Sequence, residues 1–443
     1  MNAYDKSRYT IVQPIEDRGE DMVALYNTLT RGFLLVLRED WVALLRGDAK
    51  RATPETVELF RSQGIIVPSG VDESAVCDNH RYQHVYDAST IKSKVIYTRE
   101  CNNACAYCFL DPEPETMSPE AARAMDRFLF STLKNGHAKR VSDEGSGGEV
   151  MLNSGVLLDA ATRRYHFCLG RDIHYSLGIV TNGTLLNRPI IERLREVGLN
   201  RVRVSVAGPA EIHDRLRPAR GGGGTYETIL SNLASISGMV SITVECQYDA
   251  GSEDYLTIPQ MLEDFVRYGI DVESINFCPI LRTRTMSPYQ AGVGDPGPYL
   301  YLTREATSRG YPQFDTAISN RCAADFRRHY VFDTDGSIIP CPALQKGEMA
   351  YGDVWRGIDF VRESELRKRD LQERCRLCEF LPACFGGCRL QPLAIRNDFH
   401  GIDCRYEMLR AVTEEYMVRQ ARKALAEDRE DAGGTPIAPA RFS

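Results

Sequence analysis

Three cysteines near residue 100 have a spacing that suits metal binding. Cys101, Cys105 and Cys108 lie in the segment RECNNACAYCFL, between a predicted strand and a predicted helix. Three thiolates this close together can bind three irons of a 4Fe–4S cubane, which leaves the fourth iron open to a small molecule. Zinc would need a fourth Cys or His at a finger-like spacing, and none follows nearby. The segment therefore predicts an iron–sulfur site with one open iron.

A second group of cysteines lies in the C-terminal third of the chain and also has a regular spacing. The chain has 14 cysteines, and in a reducing compartment so many are more often metal ligands than disulfides. The second group predicts further iron–sulfur clusters, with a pair of structural zinc sites as the alternative. Its members are Cys322, Cys341 (with Gly336 between them), Cys375, Cys378, Cys384, Cys388 and Cys404.

The composition excludes several classes of function. The chain has 443 residues, of which 43% are hydrophobic and 26% are charged, which is typical of a globular protein of two or three domains. Its net charge of −7 argues against a general affinity for nucleic acid. No apolar run is long enough to span a membrane, and the polar first residues lack the apolar core of a signal peptide. We therefore expect a cytoplasmic protein with neither a nucleic-acid nor a membrane partner.

The elements that must position the cysteines are predicted from periodicity. From Lys94 to about Pro279 strands and helices alternate, which indicates parallel strands joined by right-handed crossovers. The expected fold class is α/β, with a partial (β/α)6 barrel. The predicted divisions are an α+β unit over 1–75, a linker over 76–93, the barrel over 94–280, an irregular bridging segment over 281–321, the cysteine-rich domain over 322–405, and a helix with a disordered tail over 406–443.

The segment CNNACAYC resembles the defining motif of the radical S-adenosylmethionine (SAM) superfamily. The resemblance implies that SAM chelates the open iron and is cleaved by one electron to methionine and a 5′-deoxyadenosyl radical. It also implies contacts to SAM from several strand ends. These residues are Tyr107 beside the adenine, the GGE element Gly147, Gly148 and Glu149 at the methionine amino group, the TNG residues Thr181 and Asn182, and Ser205 at the carboxylate or ribose.

Two of these matches have ordinary structural alternatives. The GGE element could be a simple glycine-rich turn. The segment SVAGPAEIHDRLRP matches the fourth-strand segment at Ser205, His213, Asp214 and Arg217, but Ala207 replaces its acidic residue. His213 and Asp214 could equally cap a helix.

The seven C-terminal cysteines resemble the SPASM domain, which accompanies radical SAM enzymes that modify peptides and carries two auxiliary 4Fe–4S clusters. The resemblance assigns Cys375, Cys378, Cys384 and Cys404 to a distal cluster, and Cys322, Cys341 and Cys388 to a proximal one. Thr316 stands where some members have a fourth proximal cysteine. Cys278 is an alternative ligand, or else a buried thiol at a strand end. In all, SAM and three 4Fe–4S clusters are expected as cofactors.

The resemblance predicts an oxidoreductase that acts on a ribosomally made precursor peptide, with flavodoxin or ferredoxin as electron donor. The first 75 residues resemble a leader-recognition unit that binds peptide as an added strand; a lid on the barrel is the alternative. Formylglycine formation, as in anaerobic sulfatase maturases, is a second possibility, although Pro342 replaces the acidic residue that follows Cys341 there. A small-molecule dehydrogenase and an iron–sulfur electron carrier complete the alternatives. No catalytic base is identified.

Overall fold

The N-terminal residues fold into two small sheets and three helices. The computed structural model describes residues 4–17, 19–48, 52–108, 110, 114–280, 295–311, 321–344 and 347–431. Both strands and helices are present here, as expected of an α+β unit, and β2, β3 and β4 form an antiparallel sheet in that order. The elements are β1 (Tyr4–Lys6), β2 (Thr10–Asp17), β3 (Glu20–Asn27), β4 (Phe33–Leu37), α1 (Arg38–Arg46), α2 (Pro54–Ser62), β5 (Ile66–Pro68) and α3 (Glu73–Val85).

Helix α3 occupies much of the segment that the sequence predicted to be a linker, so that prediction was wrong. The Asp72 side chain begins the helix by accepting hydrogen bonds from the N–H groups of Ser74 and Ala75. Cys77 is the residue that the helix buries, in a cluster with Tyr9 and residues of the cysteine-rich segment. A helix that buries so little apolar surface shows no hydrophobic periodicity, which is why the sequence did not reveal it.

The next twelve elements form the predicted partial barrel. Its six strands are parallel and adjacent in chain order. Every second side chain, such as Val95, Val204 and Val244, is buried against the helices, and the other side chains face the inside of the barrel. The elements are β6 (Thr90–Thr98), α4 (Pro119–Lys134), β7 (Arg140–Gly147), α5 (Ser154–Leu169), β8 (His174–Thr181), α6 (Arg188–Glu196), β9 (Leu199–Ser205), α7 (Ala210–Leu216), α8 (Tyr226–Ile236), β10 (Ser241–Tyr248), α9 (Pro259–Arg267) and β11 (Ser274–Pro279).

The remaining elements include a helix in the predicted bridging segment, so that segment is not wholly irregular. Helix α10 buries Leu302 and Ala306 in the barrel core. Thr316 and the tail from residue 432 onward lie outside the described residues. The elements are α10 (Gly297–Ser308), β12 (His329–Phe332), β13 (Ser337–Ile339), β14 (Gly352–Asp353), β15 (Gly357–Ile358), α11 (Phe360–Arg367), α12 (Glu373–Arg376), α13 (Leu381–Cys384), α14 (Leu390–Arg396) and α15 (Tyr406–Asp431).

The cysteine-rich segment continues the barrel sheet rather than forming a sheet of its own. Strand β12 pairs in parallel with β6, and the full order is β11-β10-β9-β8-β7-β6-β12-β13-β14-β15. Gly336, the motif glycine, has φ +85° in the β12–β13 turn, a conformation that favours glycine. Arg99, in the first cysteine loop, forms a buried ion pair with Asp333 of this turn, Nε donating to Oδ1 at 3.0 Å. This pair fixes the two cysteine regions relative to each other.

The N-terminal unit packs on the C-terminal part of the chain. Ile15 and Met22 of its sheet form one hydrophobic cluster with Met417 and Ala421 of α15. The Thr28 hydroxyl donates to the carbonyl of Glu379, in the cysteine-rich segment. These contacts differ from those expected of a lid on the barrel core. Helix α15 has 26 residues, but neither it nor any other described helix is long and apolar enough to cross a membrane.

Candidate functional site

The loop with the first three cysteines lies at the carboxyl end of β6. It is held against the segment after α7, because the Ala104 N–H donates to the Pro218 carbonyl at 2.8 Å. Carboxyl ends of parallel strands are where such barrels place their active sites. The thiols are accessible to a cofactor, since Cys101 and Cys105 are half-buried and Cys108 is exposed.

The two glycines of the GGE element pack against the chain that leaves β6. Gly147 has φ +140°, and a Cβ there would lie 2.1 Å from the Thr98 carbonyl oxygen. A Cβ on Gly148 would lie 2.2 Å from the carbonyl oxygen of Glu100. Both positions therefore require glycine for contact with this backbone, whatever lies on their other side.

Glu149 joins the second and third strand ends to the first cysteine loop. Its buried carboxylate accepts hydrogen bonds from the Thr181 hydroxyl (2.7 Å) and from the N–H groups of Asn182 (2.7 Å) and Met151 (3.0 Å). Burial raises the pKa of Glu149, and these hydrogen bonds oppose the rise. The Asn182 amide in turn lies 3.8 Å from the Cys101 sulfur. The structure thus brings together the cysteine loop, the GGE element and the TNG segment.

The Tyr107 hydroxyl is hydrogen-bonded to two residues to which the sequence analysis gave no role. Its hydroxyl accepts from Arg217 Nη1 at 2.7 Å and donates to Gln247 Oε1 at 3.1 Å. Burial raises the pKa of Tyr107. Arg217 is also buried, and its Nε has no hydrogen-bond partner in the described part of the chain. Arg217 was visible in the sequence as the last residue of the H-D-x-x-R match, whereas nothing but strand alternation pointed to Gln247.

Near the end of the fourth strand, Ser205 lies inside the barrel, whereas His213 and Asp214 have structural roles. Ser205 is half-buried and lies beside Glu245 in the sheet register. His213 is buried and accepts the Ala207 N–H at 3.2 Å, and burial holds its pKa well below the usual range. Asp214 accepts two N–H groups at the start of α8. The capping interpretation therefore fits Asp214, and His213 holds the turn at Ala207.

The ten motif cysteines fall into three electrostatic groups. Burial is the main cause of the raised pKa of seven of these thiols, which reaches about 12 at Cys341 and about 11 at Cys378. Where other thiols raise a cysteine pKa further, they come from the same group. The groups are Cys101, Cys105 and Cys108; Cys322, Cys341 and Cys388; and Cys375, Cys378, Cys384 and Cys404. These are the three sets that the resemblance assigned to three clusters.

Backbone N–H groups point at the sulfurs in a recurring pattern. The N–H of Asn103 donates to Cys101 Sγ, and that of Phe380 to Cys378 Sγ, both at 3.4 Å and both from two residues further along the chain. The same two-residue step supplies a donor at four more thiols, namely Cys108, Cys322, Cys341 and Cys384. Donors aimed at sulfur stabilise bound thiolates and tune iron–sulfur clusters. The residues present therefore fit three cluster sites.

Neither zinc geometry nor a fourth proximal cysteine is evident in the described residues. Within them, no three His, Cys, Asp or Glu side chains are grouped to hold one metal ion, whereas a cubane takes one thiolate on each iron. Burial strongly raises the pKa of Cys278, and its charged neighbours are Glu245 and Arg203 rather than the proximal cysteines. These surroundings fit the buried-thiol interpretation of Cys278.

A row of four charged side chains crosses the inside of the barrel. Lys94 Nζ lies 2.6 Å from Glu144, and Arg203 lies 3.3 Å from both Glu144 and Glu245. Arg203 reaches Glu144 diagonally across β8, where Gly178, the register partner of Glu144, has no side chain. Burial opposes ionisation of Glu144, but Lys94 and Arg203 together lower its pKa. Glu245 contacts one cation of this row and lies level with Ser205 in the sheet, two residues before Gln247, the partner of Tyr107.

Comparisons with known proteins agree with this geometry. Residues 95–243 match the radical SAM superfamily. The chain is 23% identical over 371 residues to the Fe-coproporphyrin III synthase of Methanosarcina barkeri, covering 70% of this chain and 87% of that protein. The structure of anSMEcpe with bound AdoMet and Kp18Cys peptide has a TM-score of 0.60 at 17% identity, covering 75% of this chain and 99% of that one. Streptococcus suis SuiB bound to precursor peptide SuiA has a TM-score of 0.55 at 15% identity, covering 91% and 99%.

Residues 95–243 of the chain form a radical SAM domain. Such a domain implies an enzyme that uses SAM and a 4Fe–4S cluster, and the residues around Cys101 fit this cluster. Over most of its length the chain also has the fold of anSMEcpe and SuiB, both solved with peptides bound.

Proposed function

We propose that this enzyme is a peptide maturase, which forms a crosslink, a thioether or an oxidised residue in a ribosomally made precursor. The N-terminal sheet carries the proposal: β4 pairs with β3 on one side and with no described strand on the other. An extended peptide can add a strand to such an edge. SuiB, solved with a precursor peptide, shares the fold over 91% of this chain.

The proposed cofactors are SAM and three 4Fe–4S clusters, bound by the three cysteine groups. When bound, SAM and its cluster supply the radical that removes a hydrogen atom from the substrate. Tyr107, Ser205 and the GGE and TNG residues hold SAM at the strand ends. The electron donor is a small redox protein such as flavodoxin or ferredoxin.

The free edge of β4 allows a sharp test of peptide recognition. The Asn27 N–H donates to the Gly32 carbonyl, and hydrogen-bonded pairs alternate with non-hydrogen-bonded pairs along an antiparallel ladder. Leu35 falls in a non-hydrogen-bonded pair, so its backbone N–H points away from β3. Leu35→Pro removes that outward donor without breaking the β3–β4 ladder. We expect at least a tenfold loss of peptide binding, measured by fluorescence polarisation with a labelled precursor, while SAM cleavage without peptide is unchanged.

The opposite edge of the same sheet provides the control. On β2, Pro14 already occupies a position whose backbone nitrogen faces away from β3. The backbone N–H of Val12, two residues earlier, faces the same way, so Val12→Pro is the matched backbone change. It should bind peptide as the unchanged protein does. Equal losses in both variants would argue against recognition at β4. Deleting residues 1–75 is a poorer test, because it would uncover the apolar face of α15.

Glu245 is the proposed proton acceptor. Abstraction of a hydrogen atom followed by oxidation or bond formation usually releases a proton, so an acceptor near the substrate is needed. The sequence offers Ala207 and Pro342 where relatives carry acids. Glu245 is half-buried inside the barrel, level with Ser205, and shares Arg203 with Glu144. Glu144 is the poorer base because two cations lower its pKa.

Glu245→Gln should separate radical formation from product formation. Loss of a general base typically costs about a hundredfold or more in rate. We expect SAM cleavage to 5′-deoxyadenosine to persist, with modified peptide reduced about a hundredfold, both measured by mass spectrometry. Product formation at the normal rate would exclude Glu245 as the base.

A tetrapyrrole substrate is the second candidate, favoured by the similarity to Fe-coproporphyrin III synthase over 70% of this chain. The two candidates separate when the anaerobic enzyme is offered a precursor peptide or a porphyrin substrate with SAM and reductant. Conversion of the porphyrin alone would replace the peptide proposal.

A further inference from the structure

Arg369 lies between the two C-terminal cysteine groups. The loop from Cys384 to Cys388 joins a member of the distal group to a member of the proximal group. The Arg369 guanidinium donates to two carbonyls of this loop, Phe385 at 3.1 Å and Gly387 at 2.8 Å, and to the carbonyl of Gly401 at 3.1 Å. A Cβ added between them at position 386 would lie only 3.1 Å from Arg369 Cδ. The side chain is thus packed directly under this loop.

The charges around Arg369 do not balance. Asp325, three residues after Cys322, pairs with Arg389 at 2.7 Å and with Arg369 at 3.6 Å. Arg389 directly follows Cys388. The side chains of all three are at most 7% exposed, so one buried carboxylate faces two buried guanidinium groups. The nearby Asp403 already pairs with Arg405. One positive charge is therefore left over between the two groups.

A surplus buried cation is costly unless another charge compensates it. Arg369 is fully buried, and its Nε has no hydrogen-bond partner in the described structure. Burial lowers the pKa of Arg369, whereas Asp325 and the thiols of Cys322 and Cys384, one from each group, act to raise it. Iron–sulfur clusters bound by thiolates carry net negative charge, which increases on reduction. They would supply the missing compensation.

We propose that Arg369 is the shared cationic partner of the two auxiliary iron–sulfur sites and stabilises their reduced states. The inference rests on the proposed auxiliary clusters. It gives both sites a common electrostatic control, which lets them accept an electron more readily. Arg389 and Asp325 form a nearly neutral pair beside it and set its position.

The test measures reduction potentials in the full-length protein. Replacing Cys101, Cys105 and Cys108 with Ala removes the signal of the first cluster, so a redox titration followed by electron paramagnetic resonance reports the auxiliary clusters. In this background Arg369→Gln should keep its iron and shift both potentials to more negative values. Arg356→Gln is the control, since Arg356 is an exposed arginine in the turn between β14 and β15. Its potentials should stay unchanged because water screens that charge.

The outcomes are distinct. Unchanged potentials in Arg369→Gln at full iron content would overturn the inference. If that variant loses iron, Arg369→Lys decides, because it keeps the charge without the planar fork. If Arg369→Lys retains its iron and its reduction potentials stay near the original values, the proposal is supported. If it also loses iron, the role of Arg369 is purely structural. Four or fewer irons in the unchanged protein would instead refute the auxiliary clusters themselves.

Discussion

Simultaneous replacement of Cys101, Cys105 and Cys108 with Ala is expected to abolish SAM cleavage and to remove about four of about twelve irons. The three thiols share one loop and one electrostatic group, and the Asn103 N–H and the Asn182 amide converge on Cys101. Without them no open iron remains to bind SAM. Iron analysis after anaerobic reconstitution and chromatography of 5′-deoxyadenosine measure the two effects.

Cys168 provides the matched control for this prediction. It is a buried thiol of α5 that belongs to none of the three groups. Cys168→Ala should keep about twelve irons and cleave SAM normally. Residual SAM cleavage in the triple variant would contradict the assignment of the first site. Loss of all the iron, rather than about a third, would show that the sites do not assemble independently.

Arg164→Met is expected to destabilise the fold by about 4 kcal/mol, about a thousandfold in the folding equilibrium. The Arg164 side chain is 2% exposed and pairs with Asp126 at 2.7 Å and with Asp143. Asp143 is held otherwise by the hydroxyls of Ser93 and Tyr175. Methionine fills a similar volume but leaves the buried Asp143 without its cation, and leaves Asp126 paired only with the more exposed Arg163. The midpoint of urea unfolding, followed by circular dichroism, measures the loss.

The neighbouring arginine is the control, because it has the same chemistry and shares a partner. Arg163 pairs with Asp126 at 2.6 Å, but its side chain is 34% exposed. Arg163→Met leaves Asp126 paired with Arg164, so it should cost less than about 1 kcal/mol. Equal effects of the two changes would mean that burial does not decide the strength of this network.

The sequence was sufficient wherever the information was local. The alternation of strand and helix predicted the six parallel strands, because the hydrophobic periodicity of each element is visible within about ten residues. The spacings of Cys101 to Cys108 and of Cys375 to Cys388 predicted the cluster ligands, and this assignment stays a prediction. Local patterns failed at α3, whose polar sequence buries Cys77 alone. They failed again at α10, whose Pro- and Gly-rich start obscured the helix that follows.

The tertiary structure decided how distant segments meet. No local pattern could show that β12 pairs with β6, because pairing depends on which sheet edge is left free. The charged row from Lys94 to Glu245 comes from four strands, and alternation gives each residue's face but not its neighbours. Arg369 resembles any polar loop residue in the sequence, and only the fold places it beneath the Cys384–Cys388 loop. The sequence by itself thus determined the barrel and predicted the ligands, since both are encoded by short spacings. The surroundings that tune those ligands depend on contacts across hundreds of residues, which only the folded chain brings together.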